Sequence, residues 1–167
     1  SHAAPENGAM SFWQQSITRN NNFAIDGGGE NSTFRLSATN FNQTGIVPGS
    51  NIGRDNVAFS GKFKASEKLT VSAKANYVKQ NGKGRYGTGY DARNPNQSFR
   101  QWYNVLTDMS AQKDAYMNYG QKNYSWNAYG YGAANPTKPH YFDNFYFSAL
   151  ENFSTDTRNR LIGNIMA

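Results

Sequence analysis

The chain contains no cysteine, so it can build neither a disulfide framework nor a thiolate metal site. Charge is scarce too: 17% of the 167 residues are Asp, Glu, Lys or Arg. The formal charge is +6, yet the 17 basic residues are scattered and make no stripe, which argues against nucleic-acid binding. No stretch approaches the roughly 20 apolar residues of a membrane helix. That leaves membrane β-barrels open, because their signal is alternation rather than continuous hydropathy. Histidine is limited to His2 in the lead and His140 beside Pro139, which is a poor basis for a metal site. No G-x-S-x-G, H-E-x-x-H or phosphate-loop motif occurs, and "GKGRYGTG" (82–89) resembles a phosphate loop only in its glycines. Asp108, Asp114, Asp143, Glu151 and Asp156 are dispersed, with no spacing that pairs them. No catalytic residue, metal or cofactor is expected, and the chain does not read as an enzyme.

What is present points to β structure. Polarity comes from Asn, Gln, Ser, Thr, Gly and Tyr, and the mean hydropathy is −0.81. Glycine numbers 16 and aromatics make up 15%. This suits turn-rich sheet better than a helical enzyme.

The walk along the chain divides it into four parts. Residues 1–15 form a polar lead containing "SFW". Residues 16–79 read as two hairpins. In the first, Phe23 and Ile25 alternate with polar neighbours, "DGGGEN" (26–31) signals a turn, and Phe34, Leu36 and Ala38 oppose Arg35, Ser37 and Thr39. Phe41 breaks that phase, and "NQTGIVPGSNIG" (42–53) reads as a loop. In the second, Val57, Phe59, Gly61 and Phe63 alternate with Ser60, Lys62 and Lys64, and Leu69, Val71, Ala73, Ala75 and Tyr77 with Lys74 and Asn76. Folding about Ser66 places Phe63 opposite Leu69 and Gly61 opposite Val71, so apolar meets apolar. Residues 80–153 form a long connection. It holds 17 of the 25 aromatics, and a loop of this length is functional or disordered. Within it Phe99, Trp102, Tyr103, Leu106 and Met109 fall at helical spacing behind a capping Ser98, and Tyr116 and Met117 suggest a second helical turn. Residues 154–167 re-enter strand. They stop while still apolar at "RLIGNIMA", which predicts a fragment or a processed piece.

The residues 12–167 carry a resemblance. "NNNFAIDGGGENSTFRLSATNFNQTGIVPGSNIGRDNVAFSGKFKASEKLTVSAKANYV", then "QWYNVLTDMSAQKDAYMNYG", "NYSWN" and "DNFYFSALENFSTDTRNRLIGN", resemble the early barrel, a long loop and the re-entering strand of SusC/RagA-type TonB-dependent transporters of the Bacteroidetes outer membrane. The matching positions are Gly27 to Gly29, Phe34 to Asn42, Gln43 to Pro48 and Lys68 to Val71.

The resemblance implies an all-β fold. This would be about five antiparallel strands of a transmembrane barrel of about 22 strands, with an aromatic extracellular loop containing a short helix. It implies uptake of oligosaccharides or peptides. The partners would be a SusD-like surface lipoprotein as lid, the TonB complex acting through parts absent here, the remaining barrel and plug, and outer-membrane lipid. Lys62, Lys64, Lys74 and Asn76 would face the lumen. Val57, Phe59, Phe63, Leu69 and Val71 would face lipid, where a lysine at mid-depth costs about 2–4 kcal/mol. Trp102, Tyr103, Tyr124, Trp126, Tyr129 and Tyr131 would touch substrate or lid. The alternative reading is a secreted β-sandwich that binds glycans through its aromatic loop.

Overall fold

Alternating apolar and polar side chains favour extended backbone, and two-residue turns let such strands pair with matching twist. The computed structural model describes residues 5–91, 93–127 and 137–167. Its described strands are β1 (Thr18–Gly29), β2 (Ser32–Thr44), β3 (Asn51–Ser66), β4 (Leu69–Lys83) and β5 (Thr155–Met166). They form one open antiparallel sheet in sequence order, so every neighbour in space is a neighbour in the chain. No described helix is long and apolar enough to cross a membrane.

The strands are longer than their apolar patterns suggest. The turn after β1 is only Glu30–Asn31, and the three glycines expected there belong to the ladder, opposite Ser32, Thr33 and Phe34. A side chain at Gly27 would crowd the Phe34 ring at 3.0 Å, so that ring lies over the glycine and fills its place on the sheet. β2 runs on through Phe41 to Thr44, and the β2–β3 connection shrinks to 45–50. Phe41 keeps strand phase because its ring lies beneath the Arg54 guanidinium, 5.4 Å away, which gives an aromatic a place on the polar face. The β3–β4 turn is Glu67–Lys68 rather than a fold about Ser66. The Ser66 hydroxyl accepts from the Lys68 N–H at 3.3 Å, a local bond that favours this turn. Between β4 and β5, the Tyr77 hydroxyl donates to Asn159 at 3.2 Å and the Thr157 hydroxyl to Asn81 at 3.0 Å.

The chain falls into two compact units. One is the sheet: Ile17–Thr44, Asn51–Gly82 and Asp156–Ala167. The other gathers three distant pieces, namely the residues up to Ser16, Gly45–Ser50 and Lys83–Thr155. Among its described residues it contains a 3-10 turn at Ala9–Phe12 and three short helices, α1 (Pro95–Gln101), α2 (Met109–Asn118) and α3 (Phe145–Leu150), and α2 includes the helical turn expected at Tyr116 and Met117. The expected helix through Phe99 to Met109 is broken. Proline starts α1 at its first position, α1 ends before Trp102, and Asp108 caps a new helix by accepting from the N–H groups of Ser110 (2.7 Å) and Ala111 (3.2 Å).

This second unit has its own core, built from Phe12, Val47, Met109, Tyr116, Phe145 and Tyr146. Phe99 stacks on Phe145 with ring centres 4.1 Å apart, and Phe12 meets Tyr146 edge-on at 5.3 Å. The lead is therefore more than a polar tail: Phe12 is 2% exposed, and Gln14 N–H donates to the Ile46 carbonyl at 2.9 Å. Gly49 has a left-handed backbone (φ +77°), and an added side chain there would lie 2.7 Å from Leu150.

The polar centre of the unit is Asn144, with no exposed surface. Its side-chain oxygen caps α3 by accepting from the N–H groups of Tyr146 (2.8 Å) and Phe147 (3.3 Å). Its amide group donates to the carbonyls of Gln112 (2.8 Å) and Tyr124 (2.7 Å). Its own N–H donates to Asn123 Oδ1 at 2.8 Å. Asn144→Ala should destabilise this unit by about 2–4 kcal/mol, from a lost cap and orphaned buried carbonyls. Trp13, Trp102 and Trp126 all belong to the unit, so tryptophan fluorescence during denaturant unfolding reads it selectively. An unshifted transition midpoint would refute the central role of this side chain.

Candidate functional site

In a pleated sheet, residues directly opposite each other share a face, so the register determines what each face presents. Across β1, β2 and β3, one face reads Gly27–Phe34–Gly61, Ile25–Leu36–Phe59 and Phe23–Ala38–Val57, with Phe63 beside Ser32. Its next row is Asn21–Asn40–Asp55. There Asn40 donates to Asp55 at 2.6 Å and Asn42 donates to Asn40 at 2.8 Å, so an amide belt borders the apolar rows. From Phe63 to Val57 the band is about 20 Å tall, at about 3.3 Å per residue. Its large side chains are open: Phe23 is 62% exposed, Phe63 55% and Phe59 43%. Leu69 is exposed and Val71 half-buried in β4.

The opposite face of the same strands reads Asp26–Arg35–Ser60, Ala24–Ser37–Ala58 and Asn22–Thr39–Asn56. Lys62 lies opposite Thr33 on this face. Arg35 and Asp26 form an exposed ion pair at 3.3 Å, the kind that adds little stability. A groove of about 690 Å³ has a lining that includes Arg35, Ser37, Ser60, Lys74, Asn76 and Asn164. Thus Lys74 and Asn76 come together with Arg35, while Lys62 and Lys64 are exposed outside that lining.

The aromatic residues singled out in the long connection separate by environment. Tyr103 and Trp126 pack against the core with ring centres 6.4 Å apart. The Tyr103 hydroxyl donates to the Thr107 carbonyl at 2.8 Å, and burial raises its pKa. Tyr124 is half-buried beside Tyr119, 4.9 Å between rings. Trp102 stands out at 67% exposure. Tyr129 and Tyr131 lie outside the described residues. Tyr116, at the core, donates to Glu151 at 2.5 Å, and burial together with that carboxylate pushes its pKa up to about 12.

A crevice of about 260 Å³ opens within this unit, and composition alone did not reveal it. Its apolar lining comes from Phe12, Val47 and Phe145, brought together from three separate pieces of chain. Polar groups come from α1 (Gln97, Ser98), from Asp143 and from Ser148. Tyr90 and Tyr141 also line it. Its geometry is held by amide side chains bridging two loop segments. Asn127 Oδ1 accepts from Tyr141 N–H at 2.8 Å, and Asn123 donates to Asp143 at 2.8 Å. Arg93 is forked onto Asp91 through Nε (3.2 Å) and Nη2 (2.9 Å). No cluster of three or more His, Cys, Asp or Glu suited to a metal occurs among the described residues.

Comparison with protein-family models, with curated proteins and with solved structures finds no match.

The side-chain and backbone hydrogen bonds from Arg93 hold the Asp91 carboxyl at about 2, below its ordinary 3.8. A lowered folded pKa contributes stability above 3.8 that is lost as pH falls from 3.8 through about 2. An NMR titration of carboxyl carbons should place the Asp91 midpoint near 2 and return it toward 3.8 in Arg93→Gln. A wild-type midpoint near 3.8 would show that the fork does not persist in solution.

Proposed function

We propose that this chain is part of a TonB-dependent outer-membrane importer of the SusC/RagA type, its sheet a segment of the barrel wall and its long aromatic connection outside the cell. The observation that carries the reading is the apolar band. The rows Gly27–Phe34–Gly61, Ile25–Leu36–Phe59 and Phe23–Ala38–Val57 cover one face of β1–β3, while the other face of the same strands is polar. The band is open rather than packed, which in water is unfavourable for a surface of this size and in lipid is favourable.

Three further features agree. The strands hold 12, 13, 16, 15 and 12 residues, more than the roughly 9–11 that a tilted strand needs to cross a bilayer. The amide belt at Asn40 and Asp55 suits a bilayer boundary. The turns at 30–31 and 67–68 are short and share one end of the antiparallel ladder, while the connections at the other end are longer, modestly at 45–50 and greatly between β4 and β5, as in outer-membrane barrels. β1 and β5 leave open edges, which the remaining barrel of the same protein would pair, since a bilayer tolerates no unpaired edge.

In this reading Phe59, Phe63, Val57, Leu69 and Val71 contact lipid, and Arg35, Lys62, Lys64, Lys74 and Asn76 face the lumen. A SusD-like lipoprotein would cover the external aromatic unit, and the TonB complex would act through other parts of the protein. Transport of an oligosaccharide or peptide needs no catalytic residue.

Phe59→Lys in the full-length protein should cost about 2–4 kcal/mol at mid-depth and reduce assembled protein in the outer-membrane fraction several-fold. Lys74→Gln should leave assembly unchanged. Heat-modifiable migration of the detergent-extracted protein distinguishes folded barrel from aggregate. Equal tolerance of the two substitutions, or a folded product that stays in solution without detergent, would favour a secreted β-sandwich module instead.

A further inference from the structure

The crevice in the aromatic unit has a chemistry that specifies its ligand more closely than the import reading does. Tyr90 is 82% exposed and Tyr141 76%, although both line the crevice. Two open phenol rings over a small cavity expose apolar area that a bound partner would cover. The Tyr141 backbone N–H donates to Asn127 Oδ1 at 2.8 Å, and its ring stacks on His140 with centres 4.0 Å apart. The volume of about 260 Å³ is below the range of a complete small-molecule site, so it takes one compact unit of a longer ligand.

The polar groups narrow the choice. Gln97, Ser98 and Ser148 offer neutral donors and acceptors. Among the described lining residues the only cation is Arg93, and its guanidinium is already forked onto Asp91. The Asp143 side chain at the wall offers acceptor oxygens, accepting from Asn123 at 2.8 Å, and supplies no cationic partner for an anion. A flat ring with an apolar face and hydroxyls around its edge satisfies these groups together. A peptide main chain would instead seek a strand edge or a backbone ladder, and no strand of the described residues lines this crevice.

We propose that this crevice is a subsite for one neutral pyranose unit of a glycan, with Tyr90 and Tyr141 as the stacking surfaces and Gln97, Ser98, Asp143 and Ser148 as hydrogen-bonding partners of its hydroxyls. The subsite does not depend on the membrane reading, because every group it uses lies within one compact unit.

The test uses the full-length protein in detergent or buffer, whichever keeps it folded. Neutral gluco-, galacto-, manno- and xylo-configured oligosaccharides are titrated by calorimetry, beside oligogalacturonate and a mixed tripeptide pool. At least one neutral series should bind. Tyr90→Ala and Tyr141→Ala should each weaken it about tenfold or more, and Tyr141→Phe should retain most of the affinity. Both side chains are exposed, so near-UV circular dichroism should confirm an unchanged fold in each variant. Binding of oligogalacturonate or tripeptides in place of neutral sugars, no neutral binding, or binding indifferent to both alanine variants would overturn the proposal. Failure here leaves membrane assembly of Phe59→Lys and Lys74→Gln as before, so the two readings fall separately.

Discussion

The two-residue turn at Glu30–Asn31 sets the register on which the sheet depends. It places Gly29 opposite Ser32, and every later pair follows from that one. Ile25 then meets Leu36, and Phe23 meets Ala38. A slip of one residue would set Leu36 against Ala24 or Asp26 and scatter the apolar band over both faces. The next strand inherits the same phase, because Leu36 opposite Phe59 extends the row. A two-faced surface is thus the consequence of one short turn and a side-chain period of two.

The second unit rests on a different kind of constraint. Its pieces come from the lead, the β2–β3 connection and the long segment before β5. Among the described residues no strand ladder joins them. Aromatic rings supply the contact area, with Phe99, Phe145, Phe12 and Tyr146 in edge-on, tilted or stacked pairs. Rings alone do not specify one arrangement, since many packings bury similar area. The amide side chains of Asn123, Asn127 and Asn144 supply the specificity, each tying backbone groups of distant segments. A buried amide with its partners missing costs about 1–3 kcal/mol per group, so wrong arrangements are penalised. The high Asn content, which reads as turn signal in sequence, is in part this internal scaffold.

The strands were legible from sequence because a half-covered strand writes its burial into every second residue. Their ends were less so. Phe41 looks like a phase error until Arg54 is seen over its ring. The triple glycine looks like a turn until Phe34 is seen covering Gly27. Both are cross-strand effects, and a strand read alone cannot report them. The helical spacing from Phe99 to Met109 misled for a related reason: Phe99, Tyr103 and Met109 share a core, but two helices and a connecting loop deliver them to it, and Trp102 and Leu106 stay exposed. Phe12 and Val47 gave no local signal at all, since their burial depends on segments far along the chain.

By itself the sequence determined the five antiparallel strands, the two unlike sides of the first three, and the aromatic richness of one segment. Those properties follow from composition and a period of two, which any stretch of chain carries locally. Only the tertiary structure decided which aromatics are spent on a core and which remain open, and that Tyr90 and Tyr141 share a crevice with Gln97, Ser98 and Asp143. Closing such a crevice needs residues from both ends of a long connection to meet. Local pattern carries no record of that meeting, because it is imposed by packing and by buried hydrogen bonds rather than by neighbours in sequence.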